Sequence, residues 1–228
     1  MTYSRVGTDP PPPQFADRLD AGRQLVGKLL PLAGEHPVVV GLPRGGIPVA
    51  DEIAAALEAP LEVFAVRKLG APHNPEYGIG AIAEDGTRVL DRQALGVLGI
   101  AGGALEQIVA RETAELGRRV EAYRGGHPIR PLSDRTVIVV DDGVATGVTD
   151  TAALRALRRY GPRRLVLAVP VCAPDSAARL RGEADEIVCL VEPGELYGVG
   201  QWYADFTQVA DAEVVAALER AARRDRAE

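Results

Sequence analysis

The sequence predicts an α/β fold with a parallel central sheet and helices on both faces. Short, fully apolar runs such as Val38–Leu42 and Val137–Val140 are typical of strands that are buried on both faces. These runs alternate along the chain with segments whose apolar residues recur at helical spacing, which is the order that βα units require. The 228 residues are enough for one domain with a proper core.

The first third of the chain supplies a helix, then a strand, a helix and a second strand. Phe15, Leu19, Leu25 and Leu29 have helical spacing and follow a proline-rich segment, which we expect to be a flexible leader over residues 1–14. The next predicted elements are a strand at Val38–Leu42, a helix from about Ile47 to Leu57, a strand at Leu61–Val66, and a loop over Arg67–Gly78, which is rich in Pro, Gly, Asn and His.

The remainder begins with a hairpin and continues the alternation. The segment GAIAEDGTRVL holds two strand-like pieces about Asp85 and Gly86, a hairpin signal. The later predicted elements are a long helix over Leu105–Tyr123, a strand at Val137–Val140, a helix at Thr149–Tyr160, a strand at Leu165–Val171, a short helix near Ala177–Leu180, a strand at Glu186–Val191, an irregular segment over Glu192–Gln208 and a helix at Ala212–Ala222.

Composition disfavours two classes of partner. The formal net charge of −6 argues against sequence-independent binding to nucleic acid, because such binding needs clustered Lys and Arg. No apolar stretch approaches the ~18 residues of a membrane span, and the polar, proline-rich start is unlike a signal peptide. Cys172 and Cys189 have no CxxC partner, so we expect buried thiols in a reducing cytoplasm.

The most unusual stretches follow the predicted strands. In a parallel sheet the ligand binds beyond the carboxyl ends of the strands. We therefore expect one edge to collect four loops: PRGG, RKLGAPHNPEYG, DDGVATGVT and EPGELYGVGQWYADF.

The third loop has the chemistry of a phosphate site beside a diol site. Gly143 and Gly147 let the backbone turn and bring its N–H groups close to a ligand, at the positive end of the helix that begins near Thr149. Asp141 and Asp142 would repel phosphate, but as acceptors they suit a vicinal diol or a metal that holds one. A phosphate next to a diol describes a ribose 5-phosphate.

Alternative interpretations of this loop are a plain strand end and the paired acids of phosphate-receiving signalling domains that bind magnesium. The small residues that lead into a helix disfavour both alternatives. A Walker-type nucleotide loop is excluded for this segment, since it contains no GxxxxGK(S/T).

VIVVDDGVATGVT, residues 137–149, resembles the ribose-phosphate signature of the type I phosphoribosyltransferases. That signature is an aliphatic run, two acids, and a small-residue loop that ends in Thr-Gly and a final Thr. The resemblance covers roughly residues 38–208 and implies the fold of that family, with Asp141 and Asp142 on the ribose hydroxyls. The 5-phosphate ligands that it implies are Gly143, Val144, Ala145, Thr146, Gly147 and Thr149.

The loop LPRGGIPVA resembles the pyrophosphate loop of the same family. The guanidinium of Arg44 has five N–H donors, and Gly45-Gly46 permits a backbone amide to face outward at the start of a helix. Family members often have a non-proline cis peptide here. The alternative is a helix N-terminus whose glycines allow tight packing.

Arg67 and Lys68 are adjacent cations at the predicted end of the second strand. This pair indicates that an anion binds there. Family members similarly carry basic residues here, before a mobile loop. The resemblance therefore implies that both bind pyrophosphate and that Arg67–Gly78 with the hairpin Gly80–Leu90 forms a lid. His73, Asn74 and Glu76 lie in this lid, although a solvated loop explains them equally well.

The implied reaction is a displacement at the anomeric carbon of phosphoribosyl pyrophosphate by a nitrogen nucleophile, as in nucleotide salvage. Its catalytic residues would be Arg44, Lys68, Asp141 and Asp142. Mg²⁺ would be the cofactor, held by Asp141 and Asp142 directly or through water, with Asp205 a weaker candidate. Enzymes for 6-oxopurines place a general-base aspartate where this chain has Ala145, which counts against those acceptors.

The acceptor site should come from the aromatic cluster in residues 192–206. The resemblance implies that a hood, made of residues 15–34 and 192–210, covers a core at about 36–191, with a C-terminal helix at 211–225, all in one domain over 15–228. Tyr197 and Trp202 are the acceptor candidates, and packing inside the hood is the alternative for both. For Tyr203 and Phe206 we expect packing. The closing ADFTQVADAEV is most similar to bacterial members of unassigned acceptor.

Two other functions stay open. A regulator or sensor could keep the fold and bind a phosphoribosyl ligand without turnover, but the intact pyrophosphate residues favour the enzyme. A relative of the phosphoribosyl pyrophosphate synthases is disfavoured because no ATP-site pattern is present. Dimers are common in the resembled family, so a homodimer is among the expected assemblies.

Overall fold

The computed structural model describes residues 13–72 and 74–226. The predicted leader therefore lies almost wholly outside the described residues, and so does His73. Within the described part of the chain, no helix is both long enough and apolar enough to cross a bilayer.

The larger sheet has five parallel strands in the order β2-β1-β6-β7-β8, which confirms the predicted parallel sheet. Its strands are β1 (Val38–Gly41), β2 (Leu61–Val63), β6 (Thr136–Val140), β7 (Arg164–Val171) and β8 (Glu186–Val191). The order reverses between β1 and β6, so the loops that follow these two strands are neighbours at the switch point.

Helices cover both faces of this sheet, as the uniformly apolar strands require. Val39 and Ile138 point to one face, where they pack against the first two helices, and Val40 and Val139 point to the other. The helices are α1 (Arg18–Leu29), α2 (Gly46–Ala56), α3 (Arg92–Val97), α4 (Gly102–Arg124), α5 (Val148–Arg158), α6 (Pro174–Leu180) and α7 (Asp211–Asp225).

The predicted loop over Arg67–Gly78 is wrong. A second, antiparallel sheet lies there, with strands β3 (Val66–Ala71), β4 (Asn74–Ala83) and β5 (Arg88–Leu90) in sequential order. Arg67 pairs with Ile82, and Lys68 pairs with Ala81, so both cations lie inside a strand rather than at the end of one. Cross-strand pairing outweighs the Pro and Gly content of this segment.

The hairpin predicted about Asp85 and Gly86 is confirmed. Strands β4 and β5 flank the turn, in which Gly86 has a positive φ of 86°. Helix α4 packs its apolar face, including Ile108, Val109 and Leu116, against this sheet. The small sheet and α4 thus enclose a hydrophobic core of their own.

Helix α7 closes the molecule beside β2. It packs on α2, and the carboxylate of Asp51 in α2 accepts hydrogen bonds from Arg220 (2.9 Å) and Arg224 (2.5 Å). A 3-10 turn at Val199–Trp202 lies within the segment that was predicted to be irregular.

Candidate active site

The loops after β1 and β6 pack directly against each other at the switch point. We call residues 42–46 and 141–149 together the donor edge. A methyl group on Gly45 would collide with the carboxylate of Asp142, and one on Gly46 would collide with the backbone at Asp141. Both glycines are therefore needed for this close approach. The Pro43–Arg44 peptide in the same loop is cis, as the resemblance implied.

The loop over residues 143–149 presents its backbone amides at the start of α5. Gly143 (φ 157°) packs against Val171 and Val199, and Gly147 has a left-handed φ of 68°. Within residues 13–72 and 74–226, the N–H groups of Ala145–Thr149 have no hydrogen-bond acceptor. Unpaired amides at a helix N-terminus form an anion site.

Asp141 and Asp142 lie where β6 meets this loop. The amide N–H of Asp142 donates to Oδ1 of Asp141 (2.8 Å). Burial raises the pKa of Asp141 well above its ordinary value, and the charges of Asp142 and Asp150 add to this effect. Burial also raises the pKa of Asp142, against which the nearby Arg18 acts. Two partly buried acids of this kind are suited to hydroxyl donors or a cation.

Arg18 is a residue at this site that the sequence analysis missed. Its Nε donates to Oδ2 of Asp142 (2.8 Å), its Nη1 donates to the carbonyl oxygen of Thr207 (2.8 Å), and its guanidinium lies 3.9 Å from the ring centre of Phe206. The hydroxyl of Tyr203 donates to the carbonyl oxygen of Asp142 (2.6 Å). No local signal distinguishes Arg18 from other polar residues of an amphipathic helix.

Asp150 is a third carboxyl group near the donor edge that the sequence analysis missed. It is 2% exposed, and its Oδ1 has no hydrogen-bond partner in the described part of the chain. Burial raises the pKa of Asp150 to about 7, and the charge of Asp142 acts in the same direction. An acid that follows the final Thr of the motif could have been noticed, but its burial could not.

The predicted pyrophosphate residues are divided between two places. Arg44 lies 3.9 Å from Oδ1 of Asp211. Arg67 donates through Nε (2.9 Å) and Nη2 (2.5 Å) to Oε2 of Glu112 in α4. Arg67 and Lys68 line a cavity of about 370 Å³ with the α4 residues Arg111, Glu112 and Arg119. The contacts described here tie Arg67 to α4 rather than to the donor edge.

The two acceptor candidates have opposite environments. Tyr197 is 85% exposed, and its hydroxyl donates to the carboxylate of Glu195. Trp202 is 8% exposed and packs with Phe15 and Tyr203, while its Nε1 has no acceptor among the described residues. Burial of Trp202 favours packing, whereas the ring of Tyr197 is accessible.

The remaining predicted residues are a metal candidate and the thiols. Asp205 accepts from the N–H (2.9 Å) and Oγ1 (2.6 Å) of Thr207, and these bonds lower its pKa. No group of three or more His, Cys, Asp or Glu side chains in the described part of the chain could hold a metal ion by itself. Cys172 and Cys189 are free thiols, and burial raises their pKa values to about 12 and about 11.

Comparisons with known proteins agree on one family. The family model for the phosphoribosyl transferase domain matches residues 16–200. A Mycobacterium tuberculosis protein, provisionally named a phosphoribosyl transferase, is 49% identical over 209 residues, which are 92% of this chain and 47% of the relative. The chain thus spans about half the length of the curated relatives it matches.

A solved structure is also similar over nearly all of its length. The crystal structure of TT1426 from Thermus thermophilus has 46% sequence identity and a TM-score of 0.75, and the match covers 91% of this chain and 98% of that one. Members of the phosphoribosyl transferase family are transferases of the glycosyltransferase type. Together with the parallel sheet, the matched domain and the similar proteins identify this chain as a member of that family with the type I fold.

Proposed function

We propose that the chain carries out a Mg²⁺-dependent transfer of ribose 5-phosphate from phosphoribosyl pyrophosphate to a nitrogenous base or amine, with release of pyrophosphate. The carrying observation is that the amides of Ala145–Thr149, which have no acceptor in the described part of the chain, lie directly after the partly buried carboxylates Asp141 and Asp142. The amides supply donors for a phosphate monoester, and the carboxylates supply acceptors for a diol. Family membership supports the same assignment.

In this proposal the chain acts by positioning the donor and complementing its charge. Asp141 and Asp142 accept hydrogen bonds from the ribose hydroxyls. The 5-phosphate is held by the loop over Gly143, Val144, Ala145, Thr146, Gly147 and Thr149. Val144 only shapes this loop, because its amide already donates to the carbonyl oxygen of Val171 (2.8 Å). The cations Arg44, Arg67 and Lys68, with the amide of Gly45, stabilise the negative charge that the pyrophosphate gains as the anomeric C–O bond breaks. Arg67 must first give up its contact with Glu112. The amide of Gly46 already donates to the carbonyl oxygen of Leu42 (3.0 Å), so Gly46 contributes to this site by its small size.

Mg²⁺ is the proposed cofactor, and the residues at the donor edge fit it. Mg²⁺ is commonly held by one or two carboxylates together with substrate phosphates, so a cage of three protein ligands is not needed. Asp141 and Asp142 would hold the ion directly or through water, and it would supply positive charge near the pyrophosphate. Asp205 is the weaker candidate because Thr207 already donates two hydrogen bonds to it.

The acceptor is proposed to bind under the hood. Ala145 argues against 6-oxopurines, since it cannot act as a general base. Tyr197 has an accessible ring that could stack on a base, whereas Trp202 would have to leave its buried position first. We propose nucleotide salvage as the role and the cytoplasm as the location, which the two unpaired thiols support.

The test is a pyrophosphate-release assay with Mg²⁺ and phosphoribosyl pyrophosphate against adenine, guanine, hypoxanthine, xanthine, uracil, orotate and simple amines. We expect release with a base other than a 6-oxopurine, and we expect Asp142→Asn to remove it because the diol loses a charged acceptor. Asp134→Asn is the matched control, since Asp134 is exposed in the turn before β6, far from the carboxyl end of that strand.

A regulator or sensor without turnover is the second candidate, because Ala145 leaves the loop without a general base. Donor binding by calorimetry without pyrophosphate release for any acceptor would favour it. Unchanged donor affinity in Asp142→Asn would refute the site itself. The proposed partners are the donor, the acceptor and a second copy in a homodimer; the net charge of −6 supports no role for nucleic acid, and we propose no membrane partner.

A further inference from the structure

Two side chains of helix α6 contact the proposed 5-phosphate loop, residues 143–149. The proposed reaction does not use these contacts. The hydroxyl of Ser176 donates to the carbonyl oxygen of Ala145 (2.6 Å). Nη2 of Arg179 donates both to the carbonyl oxygen of Thr146 (3.0 Å) and to Oγ of Ser176 (2.9 Å). Because Oγ of Ser176 accepts from Arg179, its own proton is directed to Ala145. The two side chains form one connected network.

The neighbouring carbonyl groups of the loop are also held from the protein side. The carbonyl oxygen of Val144 accepts from the amide of Ala173 (2.9 Å). The carbonyl oxygen of Gly147 accepts from the amide (2.9 Å) and the Oγ1 (2.7 Å) of Thr151. Four consecutive carbonyl groups are therefore bound from the protein side, and side chains of α6 bind the two in the middle.

The direction of a carbonyl fixes the direction of the next amide. In a planar trans peptide, the C=O of one residue and the N–H of the following residue point in opposite directions. A carbonyl of Ala145 held toward α6 thus aims the N–H of Thr146 away from α6, and the carbonyl of Thr146 does the same for the N–H of Gly147. These are two of the amides that have no acceptor in the described chain.

We propose that Ser176 and Arg179 are positioning residues for the 5-phosphate: they hold the carbonyl groups of Ala145 and Thr146 so that the next two amides point at the phosphate before it binds. The inference rests on the proposed ribose 5-phosphate site and adds the element that preorganises it. Donors that are already aligned bind without a reorganisation cost.

The residues differ in how they can be tested. Ser176 is 1% exposed and lies beneath the loop, so its hydroxyl acts through Ala145 and not on a ligand. Arg179 is exposed, so its replacement should leave the fold intact. Arg181, just after the same helix, is the matched control because it forms an ion pair with Glu192 (3.5 Å) and not a contact with the loop.

The experiment measures the dissociation constants of ribose 5-phosphate and of inorganic pyrophosphate by calorimetry, with Mg²⁺ present. We expect Ser176→Ala and Arg179→Ala each to weaken ribose 5-phosphate binding by about fivefold, the effect of one lost hydrogen bond. Pyrophosphate binding should change less than about twofold, because it depends on the other loop. Arg179→Lys should recover part of the loss, and Arg181→Ala should have no effect.

The outcomes separate this inference from the proposed function. Unmeasurable ribose 5-phosphate binding in the wild-type chain would refute the proposed site. Normal binding in the wild-type chain with unchanged affinity in both variants would overturn only the positioning role. Equal losses for both ligands would indicate general destabilisation, which also overturns it. Loss in Arg179→Ala alone, with Ser176→Ala folded and unaffected, would mean that Arg179 contacts phosphate directly. If Ser176→Ala does not fold, Ser176→Cys takes its place, because a thiol of similar size is only a weak hydrogen-bond donor.

Discussion

The donor edge and the predicted hood, residues 15–34 and 192–210, meet at Asp142, but they are built from different parts of the chain. The donor edge contacts its neighbours mainly through backbone, with Gly45 and Gly46 against the end of β6. The loop amides at the start of α5 have no acceptor among the described residues. The hood reaches Asp142 through side chains, namely the guanidinium of Arg18 and the hydroxyl of Tyr203. One region therefore needs small residues, and the other needs particular functional groups.

This difference explains why the sequence supports a specific proposal for the phosphoribosyl donor but not for the acceptor. A backbone site restricts which residues can stand at each position, because any side chain at Gly45 would occupy the space of the Asp142 carboxylate. A side-chain site leaves many solutions. The hood aromatics illustrate this: Trp202 is buried, Tyr197 is exposed, and Phe206 stacks on Arg18.

The largest expected effect separates the two hood aromatics. Trp202→Ala should lower the free energy of unfolding by about 3–5 kcal/mol, since it removes a buried aromatic ring. Tyr197→Ala should change it by less than about 0.5 kcal/mol but raise the acceptor KM by about tenfold. Urea denaturation and steady-state kinetics measure the two quantities. A donor KM that rises as much as the acceptor KM would contradict the stacking role of Tyr197.

A medium effect should come from one methyl group at the donor edge. Gly45→Ala places a carbon in the space of the Asp142 carboxylate, so we expect donor affinity to fall about tenfold or more. Gly27→Ala is the matched control, because nothing lies within 4 Å of that position on the exposed side of α1. Calorimetry with phosphoribosyl pyrophosphate measures both. Normal affinity in Gly45→Ala would mean that the loop tolerates displacement.

The last expected effect is a change in the pH dependence of stability at Asp150. Its pKa of about 7 in the folded chain exceeds the ordinary 3.8, so between about pH 4 and pH 7 the folded chain keeps a proton that the unfolded chain releases. Stability from this group is therefore lost as the pH rises through that window. Asp150→Asn has no such loss, so its melting temperature relative to wild type should be higher at pH 8 than at pH 5.

The control for this prediction is Asp134→Asn, which replaces an exposed acid. Its melting temperature should differ from that of wild type by the same small amount at both pH values. Identical differences for Asp150→Asn at pH 5 and pH 8 would show that Asp150 titrates normally in the folded chain.

Most of the parallel sheet was predictable because its signals are local. Strand β8 has the bounds that its apolar run indicates, and the β4–β5 turn lies where Asp85 and Gly86 indicate a hairpin. Strand β3 was not predictable, because Arg67 and Lys68 become strand residues only through pairing with β4. A segment rich in Pro and Gly is usually a loop, but its composition carries no information about a strand elsewhere in the chain that can pair with it.

The sequence by itself pointed to the proposed donor chemistry, since two acids and a small-residue loop at a strand end restrict the backbone and its charges within 13 consecutive residues. Only the tertiary structure decided which side chains complete the site. Arg18 and Asp142 are 124 residues apart, and Ser176 and Ala145 are 31 apart. Contacts over such separations depend on how strands and helices pack, and no local pattern in the chain encodes them.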